Sequence, residues 1–192
     1  MSYASNFLKA YGTPCTIQRT PTVNSKVSMK VATKSIYDNH RDSLREGVIL
    51  ADSLLQGGEI VEVLGDKFMV RAVSPDYATD QIYLFASKIN AELKQSRLTE
   101  TTDLYGNVTT AWTIVTATVY SSAHVVSAEL RQQEPGLLET TTIVLLVSNT
   151  LTVKKLDRFQ FLPSGQKLQV DSIDDIKLPG IIRIQCSEDL RQ

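Results

Sequence analysis

The chain has 192 residues, of which 42% are hydrophobic and 21% charged, and its formal net charge is −1. This composition is typical of a folded globular protein rather than a disordered one, and the length allows one large or two small domains. The charge argues against a dedicated nucleic-acid-binding protein, because such proteins normally carry a basic excess that neutralises phosphates. It is compatible with transient contact with DNA.

The cysteines and histidines do not indicate a metal site. Cys15 and Cys186 lie near opposite ends of the chain, and His40 and His124 are the two histidines. Since neither pair has the spacing of zinc ligands, we expect two buried, reduced thiols and no bound metal. No window approaches the ~20 apolar residues that a membrane span requires, and the N-terminus does not resemble a secretion signal. We therefore expect a cytoplasmic protein without a membrane partner.

The N-terminal region predicts a short helix followed by strands. Ser5 is a plausible N-cap and Gly12 a plausible stop for a helix of one or two turns between them, and the alternative is a flexible N-terminal segment. The alternation of polar and apolar residues from Lys26 to Ser35 predicts a strand. One face of that strand carries three lysines: Lys26, Lys30 and Lys34. They form either an ordinary solvated face or a cationic wall that faces a channel. The polar segment from Tyr37 to Gly47 predicts an exposed loop.

Residues 58–87 read as strands, and the polar segment from Ser87 to Leu98, which lacks alternation, predicts a partly helical linker. We therefore place an N-terminal module at residues 1–92 and a C-terminal module at 93–192. In the second module Gly106 and Asn107 predict a hairpin turn, and Trp112 is expected to be a core or inter-strand anchor.

The segment from Ser121 to Glu139 interrupts the β pattern. It fits either a short helix that ends at Pro135 or a long irregular loop. The β-branched run Thr140–Val147 that follows predicts a central strand covered on both faces.

The last third of the chain predicts a three-stranded antiparallel meander between Leu156 and Ser187, since apolar and polar residues alternate in three runs separated by turns. Five of its positions recur 100 residues upstream: Gly165, Lys167, Val170, Ile173 and Ser187 match Gly65, Lys67, Val70, Val73 and Ser87. We therefore predict an all-β fold of two similar small antiparallel β-barrel or β-sandwich modules, with a short N-terminal helix and long loops.

The sequence contains no pattern typical of an enzyme. It has no glycine-rich phosphate loop, nucleophile elbow or His/Glu pair at metal-binding spacing. Asp171, Asp174 and Asp175 lie close together, but aspartate is favoured at turns for its backbone hydrogen bonds. We expect no catalytic residues and no cofactor.

The order of parts in residues 97–190 resembles a known family. A hairpin around Tyr105 leads into a strand from Trp112 to Val119 and then into Thr141–Val147. Leu156-Asp-Arg-Phe, Gly165–Ile173 and Gly180–Cys186 close the sequence. This succession resembles the head-closure proteins, also called stopper or head–tail joining proteins, of tailed bacteriophages and prophages. Residues before 97 would then be a diverged second copy of the module.

The resemblance implies a structural virion protein of the phage neck. It implies a homo-oligomeric ring, six- or twelve-fold, assembled in the bacterial host cytoplasm and located at the head–tail junction of the virion. The ring would lie between a portal or adaptor protein and a tail terminator or tail tube protein, closing the DNA channel and docking the tail. The alternatives are another tailed-phage component, such as a tail terminator or a baseplate or tail adaptor, and a ligand-binding β-sandwich.

Within this hypothesis the segment Ser121–Glu139 is the candidate for contacts between subunits, because long connections are usually functional or disordered. The candidate assembly contacts are Val125, Val126, Glu129, Leu130, Arg131 and Glu134, and the candidate channel-facing residues are Lys26, Lys30 and Lys34. The competing interpretation is a segment folded back onto its own barrel.

Overall fold

The computed structural model describes residues 2–33 and 43–191. That part of the chain contains two α-helices, α1 (Tyr3–Tyr11) and α2 (Ala128–Gln133), and a 3-10 helix at Ala51–Ser53. It contains the strands β1 (Thr13–Gln18), β2 (Val23–Val31), β3 (Leu44–Leu50), β4 (Ile60–Val63), β5 (Asp66–Asp76), β6 (Gln81–Lys88), β7 (Ala91–Thr102), β8 (Val108–Val125), β9 (Ile143–Ser148), β10 (Arg158–Phe161), β11 (Lys167–Asp174) and β12 (Ile181–Glu188). None of the described helices has the length and apolar character needed to cross a membrane.

The strands form two closed barrels with the same strand order. The first barrel runs β1-β2-β3-β6-β5-β4, and the second runs β7-β8-β9-β12-β11-β10. The recorded strand pairings are antiparallel, as the alternating sequence pattern favours. This confirms the predicted all-β fold of two similar modules, and it confirms the predicted meander as β10, β11 and β12.

The register of the two barrels follows the 100-residue offset. β5 and β6 have a bulge between Val70 and Ala72, and β11 and β12 have one between Val170 and Ser172. The amide of Ile89 donates to the Lys67 carbonyl at 2.9 Å, and the amide of Asp189 donates to the Lys167 carbonyl at 3.0 Å. A bulge and a backbone hydrogen bond at matching positions show that the repeat is structural, since chance alternation would not reproduce them.

The chain divides into two compact units. One contains the chain up to Ile89 with Ser148–Thr150 and Asp175–Ile182, and the other contains Asn90–Val147, Leu151–Asp174 and the residues from Arg183 onward. The predicted linker Ser87–Leu98 is wrong, because β6 and β7 occupy all of it except residues 89 and 90. The segment does not show the alternation of apolar and polar residues expected of a strand, because two of its buried residues, Gln95 and Ser96, are polar.

Each barrel has its own apolar interior. In the first, the buried side chains include Ile17, Val27, Ile49, Val61 and Val70. In the second they include Leu93, Leu145, Phe159, Leu168 and Val170. All of Ile143–Val147 is buried, which confirms the predicted central strand. Cys15 and Cys186 are free and buried, as predicted, and burial raises the pKa of the Cys15 thiol to about 11 and that of Cys186 further still.

Helix α1 begins earlier than the sequence predicted. Its N-cap is Ser2, whose hydroxyl accepts from the Ser5 amide, whereas Ser5 itself is buried in the first turn. The predicted stop at Gly12 is confirmed, because the Gly12 amide donates to the Leu8 carbonyl at 2.8 Å. Serine is favoured at both places, so the sequence alone did not identify the cap.

The predicted loop Tyr37–Gly47 is wrong for its last residues. Leu44–Gly47 belong to β3, which pairs with both β2 and β6. Gly47 suits that position because a Cβ there would lie 2.2 Å from the Ser28 carbonyl oxygen. Residues 34–42, with Lys34 and His40, lie outside the described part of the chain.

The β11 strand allows a direct test of the face assignment. Val170 is fully buried in the second barrel, while its neighbour Gln169 is partly exposed. We expect Val170→Asp to remove most of the domain's stability, since an unpaired buried charge costs several kcal/mol and a domain is stable by only about 5–15 kcal/mol. Gln169→Asp should have a smaller effect, limited to the loss of the hydrogen bond from Gln169 Nε2 to Asp171 (3.2 Å) and the approach of two carboxylates at a partly exposed position. Thermal unfolding followed by circular dichroism measures both, and equal shifts in melting temperature would contradict the assignment.

Candidate assembly arm

Strands β7 and β8 continue as a two-stranded ribbon past their other neighbours. β7 pairs with β10 over Leu93–Ser96, and β8 pairs with β9 over Ser122–Val125. In the described structure, Arg97–Thr102 and Val108–Thr113 pair only with each other. We call residues 97–113 the arm. A hairpin alone in water is at best marginally stable, so the features that hold the arm in shape are informative.

The tip of the arm is a turn organised by Asp103. Its Oδ1 accepts from the amides of Tyr105 (2.8 Å) and Asn107 (2.9 Å), and its Oδ2 accepts from Asn107 Nδ2 (2.8 Å). The hydrogen bond from the Asn107 side chain, followed by those from backbone amides, lowers the pKa of Asp103. Gly106 takes a positive φ of 84° within this turn, which confirms the predicted hairpin.

The turn presents two apolar side chains to solvent. Leu104 is fully exposed, and Tyr105 is 91% exposed. Because the Asp103 hydrogen bonds fix the backbone of the turn, little conformational entropy would be lost if these side chains were covered by a partner. Such preorganised, exposed apolar residues are typical of protein contact sites.

The two faces of the arm differ in chemistry. One face is rich in threonine, and hydroxyl contacts cross between the strands from Thr99 to Thr113 (2.9 Å) and from Thr101 to Thr109 (2.8 Å). The other face carries Leu98 opposite Trp112, with exposed Val108 and Ile114 on either side. The arm therefore has a hydroxyl face and a mixed face, on which these apolar side chains alternate with Glu100, Thr102 and Thr110.

A buried carboxylate fixes the base of β7. Asp157 is 1% exposed, and Arg97 donates to it through Nε (2.7 Å) and Nη2 (2.7 Å). Gln95 Nε2 (2.9 Å) and the Lys154 amide (2.9 Å) complete its partners. Burial raises the pKa of Asp157, but the hydrogen bonds from Arg97, the Lys154 amide and Gln95 outweigh it, so the net shift is downward. Asp157 thus stays ionised and joins β7 to the segment before β10.

A second buried carboxylate fixes the base of β8 through Trp112. The Arg158 guanidinium lies 3.5 Å from the centre of the Trp112 ring, and that of Arg191 lies 5.0 Å away. Asp189 accepts from Arg158 Nε (2.6 Å) and Arg191 Nε (2.8 Å). Burial raises the pKa of Asp189, but the hydrogen bonds from Arg191 and Arg158 hold it well below its usual range. Trp112 is therefore an anchor, held by arginines rather than by apolar neighbours alone.

Within the arm, the edge of β8 lacks the features that normally prevent strand pairing, and the bulges of the β7–β8 pair lie at its base, between Ile114 and Val119. Residues 108–120 contain no charged residue, no proline and no glycine. Natural edge strands are usually short, or carry lysine, proline or bulges that discourage association. A long, uncharged, β-branched edge is therefore expected to have a partner.

The sequence-based candidates in Ser121–Glu139 lie elsewhere. Ser121–Val125 belongs to β8, and the rest contains the predicted short helix as α2. Arg131 donates to the carbonyls of Leu138 (3.0 Å) and Thr141 (2.6 Å), and Glu134 forms an ion pair with Arg183. The geometry favours the competing interpretation, in which this segment folds onto its own barrel.

The remaining candidates of that segment differ in exposure. Val125 is 72% exposed at the end of β8, and Glu129 is exposed on α2. Val126 and Leu130 are half-buried. The hydroxyl of Ser127 caps α2 by accepting from the Leu130 amide at 3.2 Å. Val125 is thus the one apolar side chain among these candidates that is largely accessible.

The predicted lysine face is partly neutralised. Lys30 forms an ion pair with Glu46 (3.1 Å), and Lys26 Nζ lies 3.5 Å from the Ala10 carbonyl oxygen. With Lys34 outside the described residues, the two described lysines do not form a strongly positive surface.

A groove of about 580 Å³ lies on the first barrel. Its lining includes Met29, Val48, Val73, Tyr83 and Phe85, and the Lys30–Glu46 ion pair lies at its edge. Across residues 2–33 and 43–191, no three His, Cys, Asp or Glu side chains are placed to hold a metal ion.

Comparisons with known proteins add little. No protein-family model matches the chain, and no curated protein matches it. Among solved structures, the solution structure of protein SF1141 from Shigella flexneri 2a matches with 17% sequence identity and a TM-score of 0.43. The match covers 54% of this chain and 96% of that one. A similarity this low supports no statement about function.

The carboxylate cluster at Trp112 gives a stability prediction. Asp189→Asn leaves Arg158 buried without its counter-charge, which typically costs about 3–5 kcal/mol. Because the pKa of Asp189 is depressed in the folded state, its contribution is present above its unfolded pKa of about 3.9 and is lost as the pH falls below that value. We expect Asp189→Asn to lower the melting temperature at pH 7 and to reduce the difference from wild type at pH 3.

The control for this experiment is Asp175→Asn, because Asp175 is exposed. A substitution at such a position normally changes stability by less than about 0.5 kcal/mol. Equal melting temperatures for Asp189→Asn and wild type at pH 7 would show that the cluster does not stabilise the fold.

Proposed function

We propose that this protein is a structural component of the neck of a tailed phage, where it forms a ring between the portal or adaptor protein and the tail, closes the DNA channel and docks the tail. The observation that carries the proposal is the arm: a rigidly based ribbon with an uncharged edge and exposed apolar side chains at its tip. Such a feature is costly to leave in water and serves contact with another protein chain.

The charged groups of the second barrel support a structural rather than a catalytic role. Asp157 and Asp189 are both buried, and both have pKa values held down by arginine partners and backbone amides. A general acid or base instead needs a pKa near the working pH and access to a substrate. These carboxylates therefore serve to position the arm.

The surface chemistry is compatible with a channel that DNA traverses. The net charge is −1, and Lys30 is paired with Glu46. On the hydroxyl face of the arm, Arg97 is already bound to Asp157. Tight DNA binding needs many unpaired cations that contact phosphates. A ring that lets DNA pass instead needs a surface with few cations available to the phosphates.

Shortening the arm tests the proposal. Replacing Glu100–Thr110 with Asn-Gly joins Thr99 to Ala111 through a two-residue hairpin turn and keeps Trp112. We expect the barrels to fold with nearly unchanged melting temperature, while filled heads accumulate without tails. Electron microscopy and plaque counts measure the effect.

The matched control is Tyr77→Ser, which removes an equally exposed aromatic residue on the first barrel, outside the arm. It should leave infectivity unchanged. Normal numbers of infectious particles from the shortened arm would contradict the proposed role.

The position of the protein in purified particles separates the phage alternatives. A ring at the head–tail junction supports a neck component, and a position further along the tail supports a tail terminator or a baseplate or tail adaptor. Absence from particles would rule out all of them.

A second candidate function, ligand binding, is favoured by the groove on the first barrel. Its volume of about 580 Å³ falls within the ~300–1,000 Å³ usual for ligand pockets. If it binds a small ligand or a carbohydrate, a fragment screen by NMR should shift resonances around Tyr83 and Phe85, and Tyr83→Ala should weaken binding. A screen without such shifts would remove this candidate.

A further inference from the structure

We propose that the arms of neighbouring copies join edge to edge, with the free edge of β8 in one copy pairing antiparallel with the free edge of β7 in the next. This inference rests on the proposed ring and names the surface that builds it.

The tip of the arm determines which backbone groups face outward. The Asp103 amide donates to the Asn107 carbonyl at 3.0 Å, so these residues form a hydrogen-bonded pair. Hydrogen-bonded and non-hydrogen-bonded pairs alternate along an antiparallel ladder. Thr102 with Val108 and Glu100 with Thr110 are therefore non-hydrogen-bonded pairs, whose amides and carbonyls point away from the partner strand. Each edge of the arm thus carries outward donors and acceptors.

Other overhanging strand segments are protected by charge or proline. The part of β2 beyond its pairing with β1 carries Lys30, and the end of β5 carries Pro75 and Asp76. The end of β11 carries Asp174. By contrast, Val108–Thr113 of β8 carries neither charge nor proline and pairs with β7 without a bulge, so its outer edge is open to another strand.

The edge that best matches β8 is the β7 edge of another copy. Arg97–Thr102 and Val108–Thr113 have equal lengths and opposite directions, so arms that stand side by side in one orientation bring β8 next to an antiparallel β7. The net charge of −1 gives little repulsion between copies. The β7 overhang carries Arg97 and Glu100. Arg97 is bound to Asp157, and Glu100 meets no charge on Val108–Thr113 of the next copy, so no like charges oppose each other in the junction.

Symmetry distinguishes this pairing from a two-fold one. Pairing β8 with β8 would close at two copies and leave every β7 edge unpaired. Pairing β8 with β7 uses both edges of every arm, and repeating the same operation gives a ring when the rotation closes. The head-to-tail arrangement is therefore the one that satisfies the outward backbone groups of all copies.

Disulfide cross-linking between differently tagged copies tests the pairing. Within the arm, the hydrogen-bonded pairs are Thr99 with Ala111 and Thr101 with Thr109. The backbone amides and carbonyls of these four residues point into their own arm. Across the new junction, the same residues therefore form non-hydrogen-bonded pairs. Such pairs have Cα atoms about 4.5 Å apart, within the range of about 4.4–6.8 Å that a disulfide spans. The native Cys15 and Cys186 are buried and should not interfere.

One tagged copy carries Thr109→Cys or Ala111→Cys, and the other carries Thr99→Cys or Thr101→Cys, which together sample three registers. We expect mixed disulfides between the two kinds of copy and none within either kind alone. Leu104→Cys is the control, because Leu104 is fully exposed but lies at the tip rather than on an edge. Disulfides among β8-substituted copies alone would overturn the proposal in favour of two-fold pairing.

A proline substitution provides a second measurement. Thr110→Pro removes an outward amide and leaves the ladder within the arm intact, whereas Thr110→Val keeps the amide and the side-chain shape. Since the proline removes one hydrogen bond between copies and its ring also blocks the approach, we expect the proline variant to weaken self-association by about tenfold or more. Light scattering over a concentration series measures this, with circular dichroism confirming folding. A wild-type chain that stays monomeric at every concentration, together with cysteine variants that do not cross-link, overturns the pairing.

The outcomes separate this inference from the neck assignment. Cross-linked rings of a protein that is absent from particles would refute the neck function and leave the arm pairing standing. Protein located at the head–tail junction without edge-to-edge disulfides would refute the arm pairing alone.

Discussion

Two buried carboxylates, Asp157 and Asp189, hold the base of the arm, and the arm depends on them. Asp157 binds Arg97 at the start of the β7 overhang, and Asp189 fixes Arg158 and Arg191 against Trp112 on β8. Removing one partner of a buried ion pair typically costs about 3–5 kcal/mol, which is a large part of a domain's stability of about 5–15 kcal/mol. An isolated two-stranded hairpin is only marginally stable in water, and these contacts hold the arm in a fixed direction relative to the second barrel.

The arm also marks where the two copies of the module diverged. β1 and β2 occupy the same places in the first barrel as β7 and β8 in the second. In the first barrel this hairpin is short, with β1 spanning Thr13–Gln18 and β2 Val23–Val31, whereas β8 alone spans Val108–Val125. The rest of the barrel kept its strand order and the bulges at Val70 and Val170. The two barrels thus share their strand order and bulges, and this hairpin, which solvent surrounds, is one place where they differ.

The polar excursion Ser121–Glu139 shows why length is a weak guide to function. Its lack of a strand pattern predicts an assembly loop. In the structure, Gln185 accepts from the Leu138 amide (2.9 Å) and the Thr141 hydroxyl (3.1 Å) and donates to the Gly136 carbonyl (3.2 Å). One side chain thereby satisfies three polar groups that would otherwise need water. The candidate contact surface is therefore the arm of β7 and β8 rather than this segment.

The alternation of apolar and polar residues by itself determined that this protein is all-β, that Ile143–Val147 is a central strand, and that Val70 and Val170 occupy equivalent places in two modules. It determined this because a period of two reports which face of a strand is buried. Only the tertiary structure decided that Ser87–Leu98 is strand rather than linker. Gln95 and Ser96 are polar but buried, and Gln95 hydrogen-bonds to Asp157, a contact that the sequence does not reveal. It also decided that the strands around Trp112 extend beyond the barrel. The alternation of residues shows which face of a strand is buried, but it does not show whether another strand pairs with its edge.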